Sequence, residues 1–125
     1  MSNQTPSLYR QEGDHIDYAP GNAAITGGDV VKIGNAVCIA KEDIPANGLG
    51  TVTRRGVFRC PKDNASAFNA MDQVFWNATG NPLGGINGAG AMSNNATNTT
   101  LAGRAYAAQL VGDATVDVIL NGGVP

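Results

Sequence analysis

Residues 36–56 read Ala-Val-Cys-Ile-Ala-Lys-Glu-Asp-Ile-Pro-Ala-Asn-Gly-Leu-Gly-Thr-Val-Thr-Arg-Arg-Gly, two apolar or β-branched runs held apart by a connector rich in proline and glycine. Pro45 has no N–H to give to a ladder, and Gly48 and Gly50 open backbone angles closed to other residues. Residues 41–50 therefore read as a turn region, and the runs on either side as strands. No catalytic constellation stands beside them, so the stretch describes a scaffold.

The same grammar extends along the chain. His15-Ile16-Asp17-Tyr18 alternates and is turned by Pro20-Gly21-Asn22, which fits a short edge strand. Val30-Val31-Lys32-Ile33 and Ala36-Val37-Cys38-Ile39-Ala40 flank a two-residue Gly34-Asn35 link, the strongest hairpin signal present. Residues 51–55 and 57–60 read as a strand pair, or as one strand broken by a bulge at Gly56; Phe58 and Cys60 share one face, Val57 and Arg59 the other. Pro61 ends that pairing. Residues 64–71 carry Ala65, Ala67, Phe68 and Ala70 after a candidate Asn64 cap, which predicts about two helical turns dependent on packing Phe68 and Met71.

Val74-Phe75-Trp76 reads as a compact strand, with Trp76 a core or interface anchor. Residues 80–99 hold almost no large apolar side chain and predict a long loop. Residues 101–109 and 114–120 supply two closing strands around Gly112-Asp113, with Val116, Val118 and Leu120 facing the core. Asp29, Asp72 and Asp113 each precede a strand; an Asp there accepts a backbone N–H and fixes the turn, a structural role. The polar start, carrying Pro6, shows no periodicity. Residues 1–11 are expected to be an N-terminal arm that orders on a partner, and residues 12–125 a single β-rich domain.

Only 14% of residues are charged and 17 of 125 are glycine, so the surface is largely uncharged polar, as suits a protein packed against others. A net charge of −2 gives no long-range attraction to nucleic acid or anionic lipid, which would need a basic face. Arg54, Arg55, Arg59 and Lys62 cluster nonetheless, opposite an acidic start of Glu12, Asp14 and Asp17, an asymmetry usable in docking. No signal-peptide pattern or membrane span is present, which predicts synthesis in the cytoplasm of the producing cell. Five Asn-x-Ser/Thr sequons are then without function.

Chemistry is thin. His15, flanked by Asp14 and Asp17, lacks further ligands for a metal and a nucleophile for a triad. Gly85-Ile86-Asn87-Gly88-Ala89-Gly90 has no Gly-Lys-Ser/Thr ending, so it is not a phosphate loop. Glu42 and Asp43 are neighbours that point apart. Cys38 and Cys60 sit in separate apolar runs and read as buried thiols, with a disulfide left open should their strands be adjacent. No enzyme activity, metal or cofactor is expected.

The order of motifs resembles the family of phage capsid cement, or head decoration, proteins. The matching pieces are residues 11–18 (Gln-Glu-Gly-Asp-His-Ile-Asp-Tyr), 28–34 with 37–40, Asp43-Ile44-Pro45-Ala46-Asn47-Gly48-Leu49-Gly50 before Val57-Phe58, residues 72–77 and residues 112–118. The resemblance spans about residues 11–121. It implies an all-β fold, a small β-clip-like barrel or sandwich with one short helix and a flexible arm. It also implies a homotrimer bound to the major capsid protein on the outside of an icosahedral head, with neither nucleic acid nor membrane as partner. Members have been labelled recombinase-like, for which this chain lacks a nucleotide-binding loop. The 81–99 segment and the arm are longer than the pattern. On this reading Pro6, Leu8, Tyr9, Arg10 and Gln11 contact the capsid, and Phe75, Trp76, Arg54 and Arg59 lie at the oligomer interface. The other reading is a virion-displayed module that binds a host carbohydrate or receptor through Trp76 and residues 80–99.

Overall fold

The computed structural model describes Ser7 and residues 13–123. Among the described residues nine strands form two antiparallel sheets. The first contains β1 (His15–Tyr18), β2 (Val30–Ile33), β3 (Ala36–Ala40) and β4 (Gly50–Thr53), in the order β1-β4-β3-β2. The second contains β5 (Arg55–Pro61), β6 (Gln73–Asn77), β7 (Ala91–Ser93), β8 (Thr100–Ala105) and β9 (Thr115–Asn121), in the order β5-β9-β8-β6-β7. The fold is all-β and sandwich-like, without a closed barrel. Its five-stranded sheet curls until an isolated parallel bridge, Lys62↔Met92, links the chain just after one edge strand to the other edge strand.

The predicted hairpin is present: Ile33 pairs with Ala36 across Gly34-Asn35, and Gly34 takes φ +59°. β1 is the predicted edge strand, paired with β4. β3 lacks polar alternation because both of its faces are covered. Val37 and Ile39 join the main core with Val74, Trp76, Met92, Val116, Val118 and Leu120. Cys38 and Ala40 face the other way, into a second cluster with Val31, Val52 and Ile44. Ile44 comes from the 41–50 connector, which is fastened to the strand lead-in by paired Ile25–Ile44 backbone bonds of 2.9 and 2.8 Å. Gly48 and Gly50 do not use positive φ here; Asn47 does, at +61°. Gly50 serves by lacking a Cβ, which would collide with Ile44.

The three strand-leading aspartates repeat one motif. The carboxylates of Asp29, Asp72 and Asp113 accept the N–H of Thr26, Asn69 and Leu110 at 3.0, 2.8 and 2.8 Å. Each Asp N–H returns a bond to the carbonyl of that same residue, at 2.9, 3.1 and 3.1 Å. Each turn is thereby closed on both sides before its strand begins.

Three expectations are corrected. Residues 51–60 are neither a local pair nor one strand broken at Gly56: the break falls at Arg54, where the chain leaves one sheet for the other, and β5 runs in register with β9 through Gly56. Residues 64–71 form no helix. Two turns cannot sustain themselves, and Phe68 exchanges backbone bonds of 2.9 Å with Gln109 instead, while Met71 lies exposed with φ +69°. Residues 80–99 are not loop throughout, since they contain β7, buried over its whole length and paired with β6.

Lys62 holds the irregular segment in place. Its side chain is fully buried, and Nζ donates to the carbonyls of Asp63, Ser66 and Val111 at 2.7, 2.7 and 3.0 Å, one acceptor for each proton. Ser66 in turn meets Asn94, just after β7, through bonds of 3.0 and 3.2 Å.

Candidate interaction surface

Period-two alternation turns one side of each strand in the five-stranded sheet inward and the other outward. On β9, Val116, Val118 and Leu120 are buried, so Asp117, Ile119 and Asn121 point out. Their partners on β5, Arg59, Val57 and Arg55, share that outer side. Arg104 of β8 stands opposite Ile119, and Leu101 stands opposite Phe75 of β6. An apolar strip of Val57, Ile119, Leu101 and Phe75 thus crosses four strands, flanked by Arg59 and Arg104.

A bulge deepens the strip. Gly103 pairs with Val74 and Leu101 with Phe75, which leaves Ala102 as the extra residue. Gly103 is required there because a Cβ would run into the Ile119 carbonyl oxygen. Beside the bulge lies a groove of about 140 Å³ lined by Met71, Gln73, Leu101, Arg104, Ile119 and Asn121. Arg104 Nη1 donates to the Met71 carbonyl at 2.9 Å and holds that wall. Arg59 Nε donates to Asp117 at 3.0 Å, and that hydrogen bond raises the guanidinium pKa further.

Of the residues expected at an oligomer interface, Phe75 and Arg59 both face this outer side, on strands separated by β9 and β8. Trp76 points the opposite way into the core, 8% exposed. It cannot offer the stacking face that a sugar-binding surface would use. Arg54 lies at the crossing between sheets, where its guanidinium donates to the carbonyls of Gly13 and Gly122 and ties the approach to β1 to the end of β9. Pro6, Leu8, Tyr9, Arg10 and Gln11 lie outside the described residues. The outward position of Val57 and Arg59 was readable from alternation. Leu101, Arg104 and Ile119 were not, because only the pairing of β5, β9, β8 and β6 brings them to that strip.

His15 is exposed on β1 opposite Thr53. Among the described residues no group of three or more His, Cys, Asp or Glu side chains could hold a metal. Cys38 and Cys60 are free and buried in different clusters. Burial pushes both thiols up, Cys60 to about 12 with the Asp117 carboxylate adding to the effect, while Arg54 partly offsets the rise at Cys38. Both remain protonated and unreactive near neutral pH.

The family model described as phage cement protein matches residues 10–120. No curated protein and no solved structure matches the chain.

Proposed function

The chain belongs to the phage cement protein family, and from that premise we propose that it binds the outer surface of an icosahedral phage head as a trimer and stabilises the shell. The observation that carries this reading is the family match, which runs over residues 10–120 and gives the protein a capsid-associated role. A shell loaded with DNA is pushed outward, and a trimer bridging neighbouring major capsid protein subunits opposes that push through several modest contacts that act together by avidity. Such a role needs fixed shape and docking surfaces rather than chemistry. A rigid two-sheet body with an apolar, arginine-flanked outer strip supports it.

In this reading residues 12–125 are the decoration domain and residues 1–11 an arm that adds to a sheet edge of the capsid, with Pro6, Leu8, Tyr9, Arg10 and Gln11 in contact. Phe75 and Arg59 serve self-association. The test is to mix the purified protein with empty expanded shells and pellet them. The full chain is expected to co-sediment at saturating stoichiometry, and a chain lacking residues 2–10 to stay in the supernatant. Equal occupancy by the two would sink the arm's role; absence of binding by the full chain would sink the capsid reading.

A further inference from the structure

A ring of three copies requires heterologous contacts, in which each subunit offers two different patches to its neighbours. One patch is in view: the groove between Met71, Leu101 and Ile119, beside Arg104. Its volume of about 140 Å³ is close to that of an apolar cavity able to hold one benzene-sized group, enough for a single leucine side chain. Its complement should be an exposed apolar side chain set among carboxylates.

The charge distribution narrows the choice. Residues 13–53 contain five acidic side chains against two lysines, whereas residues 54–123 contain five basic against four acidic. Ile86 projects from a stretch with no ionisable residue between Gln73 and Gly103. Leu110 has one carboxylate near it, Asp113, which already accepts the Leu110 N–H. Leu49 is 68% exposed and is the exposed large apolar residue of the acidic portion. It shares a connector with Lys41, Glu42 and Asp43, net charge −1, in which Asp43 accepts the Gly27 N–H and Glu42 has no such bond. It also lies two residues before Thr51, whose β1 partner is Asp17. Leu49 therefore offers an apolar tip on a connector of net charge −1, and the groove an apolar floor beside Arg104.

We propose that Leu49 of one copy seats in the Met71–Leu101–Ile119 groove of the next, with the acidic connector against Arg104 and Arg59. This contact rests on the trimer reading above and specifies its seam. It is head-to-tail, so it can close into a ring, and every subunit uses both patches once.

The test is sedimentation velocity over a concentration series with the full chain, Leu49→Arg, Met71→Glu and the double variant. Both positions are exposed, and each protein is first checked for an unchanged thermal midpoint. Burial of one leucine at each seam predicts that Leu49→Arg, which sets a cation against Arg104, weakens each contact by about tenfold or more. Met71→Glu alone weakens it too, by placing a carboxylate against the acidic connector. The double variant sets the introduced guanidinium of one copy against the introduced carboxylate of the next and recovers most of the loss. A wild-type trimer that Leu49→Arg leaves untouched, or a double variant no better than either single one, overturns this contact and leaves the trimer standing. A wild-type chain that stays monomeric at every concentration overturns the trimer reading and the contact with it.

Discussion

Ile44 lies in a connector and Ile119 in a strand that has neighbours on both sides, yet Ile44 is 1% exposed and Ile119 is only partly covered. The inversion comes from how each sheet finishes its outer side. The four-stranded sheet is roofed by its own connectors, which lower Ile44 and Ile25 onto Val31, Cys38, Ala40 and Val52. Among the described residues the five-stranded sheet has no such roof over Val57, Ile119, Leu101 and Phe75. Burial here follows what covers a face rather than whether a residue sits in a strand. A contiguous, partly exposed apolar face is the natural place for a second molecule.

The same truncation on the two faces is the strongest way to break this contrast. Ile44→Ala should lower stability by about 3 kcal/mol, since it removes the roof of a closed cluster and leaves a cavity. Ile119→Ala should cost less than about 1 kcal/mol in the isolated chain, because its side chain is already partly in water. Urea denaturation of both variants reads the difference. Similar losses at the two positions would mean that the outer strip is as structurally engaged as the roof, and its assignment as a docking face would fail.

Lys62 sharpens the contrast from the polar side. Where the four-stranded sheet is closed by isoleucines, the irregular segment beside the five-stranded sheet is closed by a buried ammonium group shared among the carbonyls of Asp63, Ser66 and Val111. Lys62→Met keeps the apolar stem but leaves three carbonyls without that donor, at a cost of about 2–3 kcal/mol. Hydrogen exchange should speed up first at Phe68 and Gln109, whose mutual bonds depend on the fixed segment. Uniform loss of protection across both sheets would argue instead that Lys62 supports the whole fold.

Local chemistry made part of this legible in the sequence. Gly34-Asn35 specifies its turn within two residues, and Asp29, Asp72 and Asp113 reach only three residues back, so both features survive without knowledge of the rest of the chain. Val116, Val118 and Leu120 announce their face by alternation. What escaped depends on distant partners. β7 is built of Ala91, Met92 and Ser93, with no β-branched side chain, and becomes a strand only because β6 is there to pair with it. The helix expected at residues 64–71 loses to a Phe68–Gln109 pairing across 41 residues. The break falls at Arg54 rather than Gly56 because the pairing partner changes there, from β1 and β3 up to Thr53 to β9 from Arg55 onward. The outer strip follows the same rule: Val57 and Arg59 were assigned to one face from their spacing, but Ile119, Leu101 and Phe75 join them only through inter-strand register.

The smallest expected effect tests whether the arginines of that strip belong to the fold or to its surface. Arg59 is mostly exposed, and its bond to Asp117 joins two adjacent strands already paired along their length. An ion pair of this kind gains little, because water solvates both partners in the unfolded chain and screens them in the folded one. Arg59→Ala should therefore lower the thermal midpoint by no more than about 4 °C. Association should respond differently, since losing the cation leaves Asp117 to repel an acidic connector brought against the strip. Self-association of the variant should fall below wild type at low ionic strength and converge with it near about 1 M salt, where the screening length is about 3 Å. A midpoint lowered by about 10 °C or more would move Arg59 from the docking surface into the fold, and the strip would then keep Arg104 as its one cation free of a carboxylate partner among the described residues.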